Sequence, residues 1–251
     1  MIINYLYRII QVFLIGIFFA FNANAQVFDV SYNSFVPTRT FLVAVKNPKA
    51  AVLLFPGGIG VLDLKNDGST TNQHTFVRSK ELWAKYGIDA VLVDTPYELG
   101  VGDKNIRASR DHQERILNVV KYYKEKLNLP IWIFGHSMGS VSVSEFVNIG
   151  KEQQQTIKGV IIAGTYKSVT INEDVKLPVL AIHHIQDGCS ITPVSVSESV
   201  IKNRPKDTRS QLILIDGGIT KGDICRGMAY HGFNQTEEEF IKSAAEFILK
   251  K

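Results

Sequence analysis

Along most of the chain, apolar residues come in short unbroken runs, not in simple alternation. AVLLF (51–55), IDAVLVD (88–94), IWIF (131–134), GVIIAG (159–164), PVLAIHH (178–184) and QLILI (211–215) are such runs, rich in Val, Ile and Leu and bounded by Gly, Pro, Asn or Asp. Runs of this length and composition read as strands buried on both faces. Between them lie segments with helical spacing. Residues 72–86 carry Phe76, Leu82, Trp83 and Tyr86 and end at Gly87. SRDHQERILNVVKYYKEKL (109–127) offers Ser109 as an N-cap, and 139–149 is a helix of small residues. A further helix is expected over 192–202. The last, 236–249, has Thr236 followed three positions on by Glu239, which predicts a capping box. Ahead of all this, FDVSYNSFVPTRTFLVAV (28–45) reads as one or two leading strands.

Strand–helix alternation with fully apolar strands predicts an α/β domain: a mostly parallel central sheet with helices on both faces. The long irregular segments are 57–71, 95–108, 164–177 and 216–235, and each follows a strand. They therefore gather at the C-terminal edge of the sheet, where open α/β folds bind ligands. No repeat of 20–50 residues interrupts the pattern.

Composition narrows the classes. A chain of 251 residues that is 45% hydrophobic suits one domain with a sizeable core. The net charge is +4, with Lys and Arg scattered and no basic stripe interleaved with aromatics, so nucleic acid is not an expected partner. Residues 1–25 differ from the rest. Arg8 precedes an apolar stretch, and Ala23-Asn24-Ala25 follows it. The stretch is about 13 residues, short of the ~20 that span a bilayer. It reads as a signal peptide cleaved before Gln26, with 26–251 as a single exported domain, periplasmic or secreted, and no stable membrane insertion afterwards. Retention of the segment as an anchor is the alternative. The only two cysteines, Cys189 and Cys225, fall in the exported part, where an even pair predicts a disulfide.

The candidate chemistry centres on Gly135-His136-Ser137-Met138-Gly139, a G-x-S-x-G sequence set between a strand and a helix. A sharp strand-to-helix turn lifts the serine above the sheet edge and crowds its neighbours, which must be nearly free of side chain. A serine hydroxyl needs a base, and the base needs an orienting acid. In the order Ser, acid, His, three histidines follow Ser137: His183, His184 and His231. His183 and His184 end a strand, whereas His231 lies in the loop AYHGF before the closing helix, so His231 is the expected base. Asp187, just after PVLAIHH, is the expected acid; Asp216 and Asp223 share the histidine's own loop, and Asp174 sits in a segment that reads as exposed. The Met138 N–H at the helix N-terminus and a second N–H from Pro56-Gly57-Gly58-Ile59-Gly60 are the expected oxyanion donors. Gly58 is the first choice in that turn, and Gly57 or Ile59 the fallback.

These features resemble the α/β-hydrolase superfamily: the GHSMG elbow, the PGG turn, and Asp187 and His231 in the matching order and loops. The resemblance covers nearly all of 26–251 and looks closest to exported bacterial members of unassigned substrate. It implies an α/β-hydrolase fold and a serine hydrolase acting on carboxylic esters or related acyl substrates, with a Ser137–His231–Asp187 triad. It implies a small-molecule substrate, no cofactor and no metal. The same fold and triad also serve peptidases and thioesterases, and a non-catalytic binding protein could retain the fold. Two departures stand out. Many relatives insert a helical cap between the sixth and seventh strands, but 164–177 is only loop length, so no large cap domain and an open or shallow pocket are expected. No histidine precedes the PGG turn. Leu62, Tyr97, Tyr166 and Ile191 are candidate rim residues.

Overall fold

The computed structural model describes residues 24–33, 35–100 and 104–250. The expected signal peptide, 1–25, lies outside these residues except for its last two. Eight strands form one sheet in the order β1-β2-β4-β3-β5-β6-β7-β8. They are β1 (Asn24–Tyr32), β2 (Phe35–Ala44), β3 (Ala50–Phe55), β4 (Ile88–Asp94), β5 (Ile131–His136), β6 (Gly159–Ala163), β7 (Val179–His184) and β8 (Ser210–Ile215). The leading segment is thus two strands, a hairpin whose second member pairs antiparallel with β4; every pairing from β4 through β8 is parallel. β1 starts at Asn24, so a cut before Gln26 would remove the Asn24–Ala44 and Ala25–Val43 pairings from its end.

The apolar runs are buried on both faces, as their lack of alternation requires. Ala51, Leu53 and Phe55 of β3 join one core with Ile116, Tyr123, Phe146 and Val147. Val52 and Leu54 of the same strand join the opposite core with Phe76, Trp83, Phe240 and Phe247. Successive side chains of a strand point to opposite faces, so one strand feeds two cores. The first core packs under α3 (Arg110–Leu127) and α4 (Met138–Ile149). The second packs under α1 (Thr75–Ser79), the 3₁₀ turn Lys80–Tyr86, and α7 (Glu237–Leu249).

Several boundaries differ from expectation. The helix expected from residue 72 begins at Thr75, capped by His74, whose side chain accepts from the Phe76 N–H; its second half is 3₁₀. Short helices α2 (Lys104–Arg107) and α5 (Lys151–Thr156) occupy stretches with no apolar stripe, which is why periodicity did not reveal them. The helix expected from Thr192, α6, runs Val194–Lys202, because Thr192 is engaged at the site described below. The capping box does not form. Thr236 precedes α7, but its hydroxyl makes no cap bond and is buried without a partner among the described residues. The acidic side chains Glu237, Glu238 and Glu239 still face the positive end of the helix dipole. Residues 164–177 form a loop with no helix, and Tyr166, Val169, Ile171 and Val175 fold inward onto the first core, so this loop is not a cap over the sheet edge.

Candidate active site

Ser137 stands between β5 and α4 with φ 53° and ψ −123°. A non-glycine residue there costs on the order of 1–3 kcal/mol and persists only where its surroundings fix it. Here the Ser137 N–H donates to Ala163 C=O at 2.8 Å, and its carbonyl accepts from the Ser140 N–H and hydroxyl. The flanking glycines are sterically required. A Cβ on Gly135 would lie 2.1 Å from Gly139 O, and one on Gly139 would lie 2.0 Å from Phe55 O. The elbow brings the incoming strand, the outgoing helix and the end of β3 together more closely than any side chain allows. The Met138 N–H belongs to the first turn of α4, where amides have no intrahelical acceptor and the dipole favours an anion.

His231 sits in a 3₁₀ turn, Tyr230–Gly232, in the loop after β8, and is buried. Its Nδ1 donates to Asp187 Oδ2 at 2.8 Å. Asp187 follows β7, and its other oxygen accepts from the Cys189 N–H at 2.9 Å. Burial alone would raise the Asp187 pKa. The imidazoles of His183 and His231 outweigh it and hold the carboxyl well below the usual range. The alternative acids are spent on their own turns: Asp216 accepts from the Gly217 N–H, Asp223 from the Cys225 N–H, and both are exposed. With Nδ1–H given to Asp187, the free lone pair of neutral His231 is on Nε2. Ser137 and His231 line one cavity, and no hydrogen bond joins their side chains among the described residues.

In the turn after β3, the Gly57 N–H lies 3.1 Å from His74 Nε2 and so faces that imidazole. A Cβ on Gly57 would approach Ser137 Cβ to 2.7 Å, which explains glycine there. Gly58 adopts φ 58° and has open space where a side chain would stand. Gly57 and Gly58 both line the cavity.

Cys189 and Cys225 are bonded, with Cα atoms 4.9 Å apart, and join the loop of Asp187 to the loop of His231. Cys225 also lines the cavity.

Residues with no signal in the pattern complete the site. Thr192 Oγ1 lies 3.2 Å from both Asp187 Oδ2 and His231 Nδ1. His183 Nε2 faces Asp187 Oδ2 at 3.4 Å, while its Nδ1 meets Ser197 Oγ at 2.9 Å. His184 bonds Gly217 C=O and stacks on Tyr230, bracing the His231 loop. His136, the variable residue of the elbow, donates from Nε2 to the His231 C=O at 2.8 Å. Its Nδ1 is then an acceptor, 3.1 Å from His74 Nε2. Burial keeps both rings neutral, His74 with a pKa lowered to about 3 and His136 well below the ordinary value. A histidine therefore does reach the PGG turn, from a segment 17 residues downstream of Gly57.

The cavity is about 790 Å³. Its walls are the Pro56–Ile59 turn, residues 71–74, and 221–222 with 225–228, with Ile59, Val61, Leu62 and Met228 as apolar surface. Of the candidate rim residues only Leu62 lines it. Tyr97 faces His112, Tyr166 is buried behind the elbow, and Ile191 packs against the first core. The loops turn these side chains onto the body of the domain, Tyr166 and Ile191 onto the first core and Tyr97 against His112. Among the described residues, no group of three or more His, Cys, Asp or Glu side chains is placed to hold a metal ion. No described helix is long and apolar enough to cross a membrane.

Comparison with known proteins agrees with this fold. The model of a family described as "Alpha/beta hydrolase family" matches residues 66–223, more than half of the chain. No curated protein matches. Among solved structures, dienelactone hydrolase from Anabaena variabilis is similar over 90% of this chain and 97% of its own, with a TM-score of 0.63 and 15% identity. An α/β serine hydrolase without a lid from Xanthomonas campestris covers 90% and 93%, with a TM-score of 0.61 and 12% identity. A cold-adapted esterase from an Arctic intertidal metagenomic library covers 88% and 92%, with a TM-score of 0.58 and 13% identity.

Proposed function

The chain belongs to the alpha/beta hydrolase family, and from that premise we propose that it is a serine hydrolase cleaving carboxylic esters or related acyl substrates. The observation that carries this reading is the strained Ser137 elbow opening into the same cavity as a His231 whose Nδ1 is tied to buried Asp187. Solved relatives of the same fold include an esterase and a dienelactone hydrolase, which supports ester chemistry.

In this reading Ser137 Oγ attacks the acyl carbon while His231 Nε2 takes its proton. Asp187 stabilises the imidazolium and fixes its orientation. The carbonyl oxygen becomes an oxyanion facing the Met138 and Gly58 N–H groups. Collapse expels the alcohol, which takes the proton back from His231. Water then attacks the acyl-enzyme with His231 again as base, releasing the acid and free Ser137. No cofactor enters. The cavity volume is within the usual range for small-molecule sites, roughly 300–1,000 Å³, so the substrate is a small acyl compound. The disulfide is compatible with an exported, periplasmic or secreted single domain comprising 26–251.

A fluorophosphonate probe should label the wild type and not Ser137→Ala, and p-nitrophenyl esters of graded acyl length should be hydrolysed with a loss of about 10³-fold or more in Ser137→Ala. Wild-type protein that neither labels nor hydrolyses any ester, thioester or aminoacyl amide is a binding protein, and the proposal fails. Turnover of amides or thioesters alone would replace esterase with peptidase or thioesterase.

A further inference from the structure

Arg107, the last residue of α2, is 1% exposed and sits behind the turn that follows β3. One terminal nitrogen donates to Gly58 C=O at 2.5 Å. The other donates to Ser142 Oγ at 3.1 Å and reaches Pro56 C=O at 3.4 Å. All three acceptors are neutral. Among the described residues no carboxylate pairs with this guanidinium, and its Nε has no partner. Its titratable neighbours carry no negative charge at neutral pH: His112 shares Ser142 Oγ and has a pKa lowered to about 3, and Tyr97 is pushed far up by burial. Burial pulls Arg107 itself down to about 9, which leaves it charged at neutral pH.

A buried cation without an anion is expensive. A neutral side chain could donate to the same carbonyls at less cost, so the charge itself needs a reason. The turn supplies one. Arg107 holds the carbonyls of Pro56 and Gly58, and the carbonyl between them, Gly57, accepts from the Gly60 N–H at 3.1 Å. In a trans peptide the N–H points away from its C=O. The two carbonyls that Arg107 holds carry the N–H groups of Gly57 and Ile59, and the Gly60 bond fixes the N–H of Gly58 between them, so clamping the turn on both sides sets all three. Hydrogen bonding to a peptide carbonyl also polarises its unit and strengthens its N–H as a donor.

We propose that Arg107 is a positioning residue for the oxyanion: it aims the amides of the Pro56–Ile59 turn and supplies the buried positive charge that finds its counter-charge only when the tetrahedral intermediate forms. The inference rests on the serine-hydrolase reading. It explains why an unpaired cation is kept beside the site, and it separates ground state from transition state, since a neutral ester gains little from the charge while an oxyanion gains much.

The test is Arg107→Gln and Arg107→Lys, assayed for kcat and KM on a p-nitrophenyl ester and for affinity toward an arylboronic acid, which becomes a tetrahedral anion on a catalytic serine. For Arg107→Gln, kcat should fall about 10²-fold, comparable to loss of one oxyanion donor. Its KM should stay within about threefold, boronate affinity should weaken by about the same factor as kcat, and the melting temperature should hold or rise. Arg107→Lys, which keeps the charge and loses the two-point grip, should fall between and decides the matter if the glutamine variant does not fold. Unchanged kcat in either folded variant, or a kcat loss with boronate affinity intact, overturns the proposal and leaves Arg107 a structural clamp. Wild-type protein that neither hydrolyses esters nor binds boronate fails at the earlier step and takes both readings down.

Discussion

Acidification should destabilise this protein through its buried imidazoles, well before its carboxylates matter. His74 and His112 are buried and neutral, each with a pKa lowered from 6.5 to about 3, by burial first and then by electrostatic repulsion from neighbouring basic groups, Arg78 foremost for His74 and Arg107 and Arg115 for His112. The unfolded chain takes up these protons near pH 6.5 and the native state does not until about pH 3. Stability from each group is therefore fully present above pH 6.5 and declines as the pH falls toward 3. From pH 7.5 to 5.0 each contributes a loss of about 2 kcal/mol, roughly 4 kcal/mol together, against a total of about 5–15 kcal/mol for a typical domain. His136 shifts the same way. Asp89 and Asp94 oppose it, because burial raises their pKa values and their protonated forms favour the fold. Asp187, held low, stays ionised over this window. Comparing wild type with His112→Gln isolates one imidazole from the rest. Urea titrations at pH 7.5 and 5.0 should show the variant losing about 2 kcal/mol less than the wild type between the two conditions. Parallel losses in the two proteins would show that His112 is not buried in its neutral form, and the reasoning would fail.

Asp187→Asn should keep the Cys189 N–H bond through its oxygen and turn an NH₂ toward His231, forcing the tautomer that cannot accept the Ser137 proton. A fall in kcat of roughly 10⁴ is expected with a near-normal melt; a variant within tenfold of wild type would remove Asp187 from the triad. Gly139→Ala places a Cβ 2.0 Å from the Phe55 carbonyl oxygen, a clash between backbones that cannot rotate away. It should lower stability by about 3 kcal/mol or prevent soluble expression, and a wild-type melting curve would contradict the elbow packing. Reducing the Cys189–Cys225 bond frees a loop of separation 36, worth roughly 4 kcal/mol by chain entropy. Because the bond ties the acid loop to the base loop, activity measured far below the melting temperature should also drop, by up to about 10²-fold for a displacement of about 1 Å. Full activity of folded, reduced protein would confine the bond to a stabilising role.

The pattern of apolar runs determined the strands, because a strand buried on both faces cannot be written with polar alternation, and six runs map onto β3 through β8. The elbow was equally legible, since the clash at Gly135 and Gly139 leaves glycine as the only side-chain-free choice and local sequence records it. Asp187 and His231 were legible as loop positions after strands, yet nothing local separated Asp187 from Asp216 or Asp223. Only the fold does so, by placing β7 beside β8 so that the Asp187 loop meets the His231 loop. The departures share that cause. Thr192 looked like the start of a helix and instead meets Asp187 and His231, and Thr236 matched a capping box yet makes no cap bond. Tyr97, Tyr166 and Ile191 read as rim residues because loop membership was known and loop direction was not. His74, His136 and Arg107 act across separations of 17, 95 and 49 residues on Gly57, His231 and Gly58. Periodicity and capping rules reach only a few residues along the chain, whereas these contacts exist because a parallel sheet brings distant strand ends to one edge, and there the tertiary structure alone decides which side chains meet.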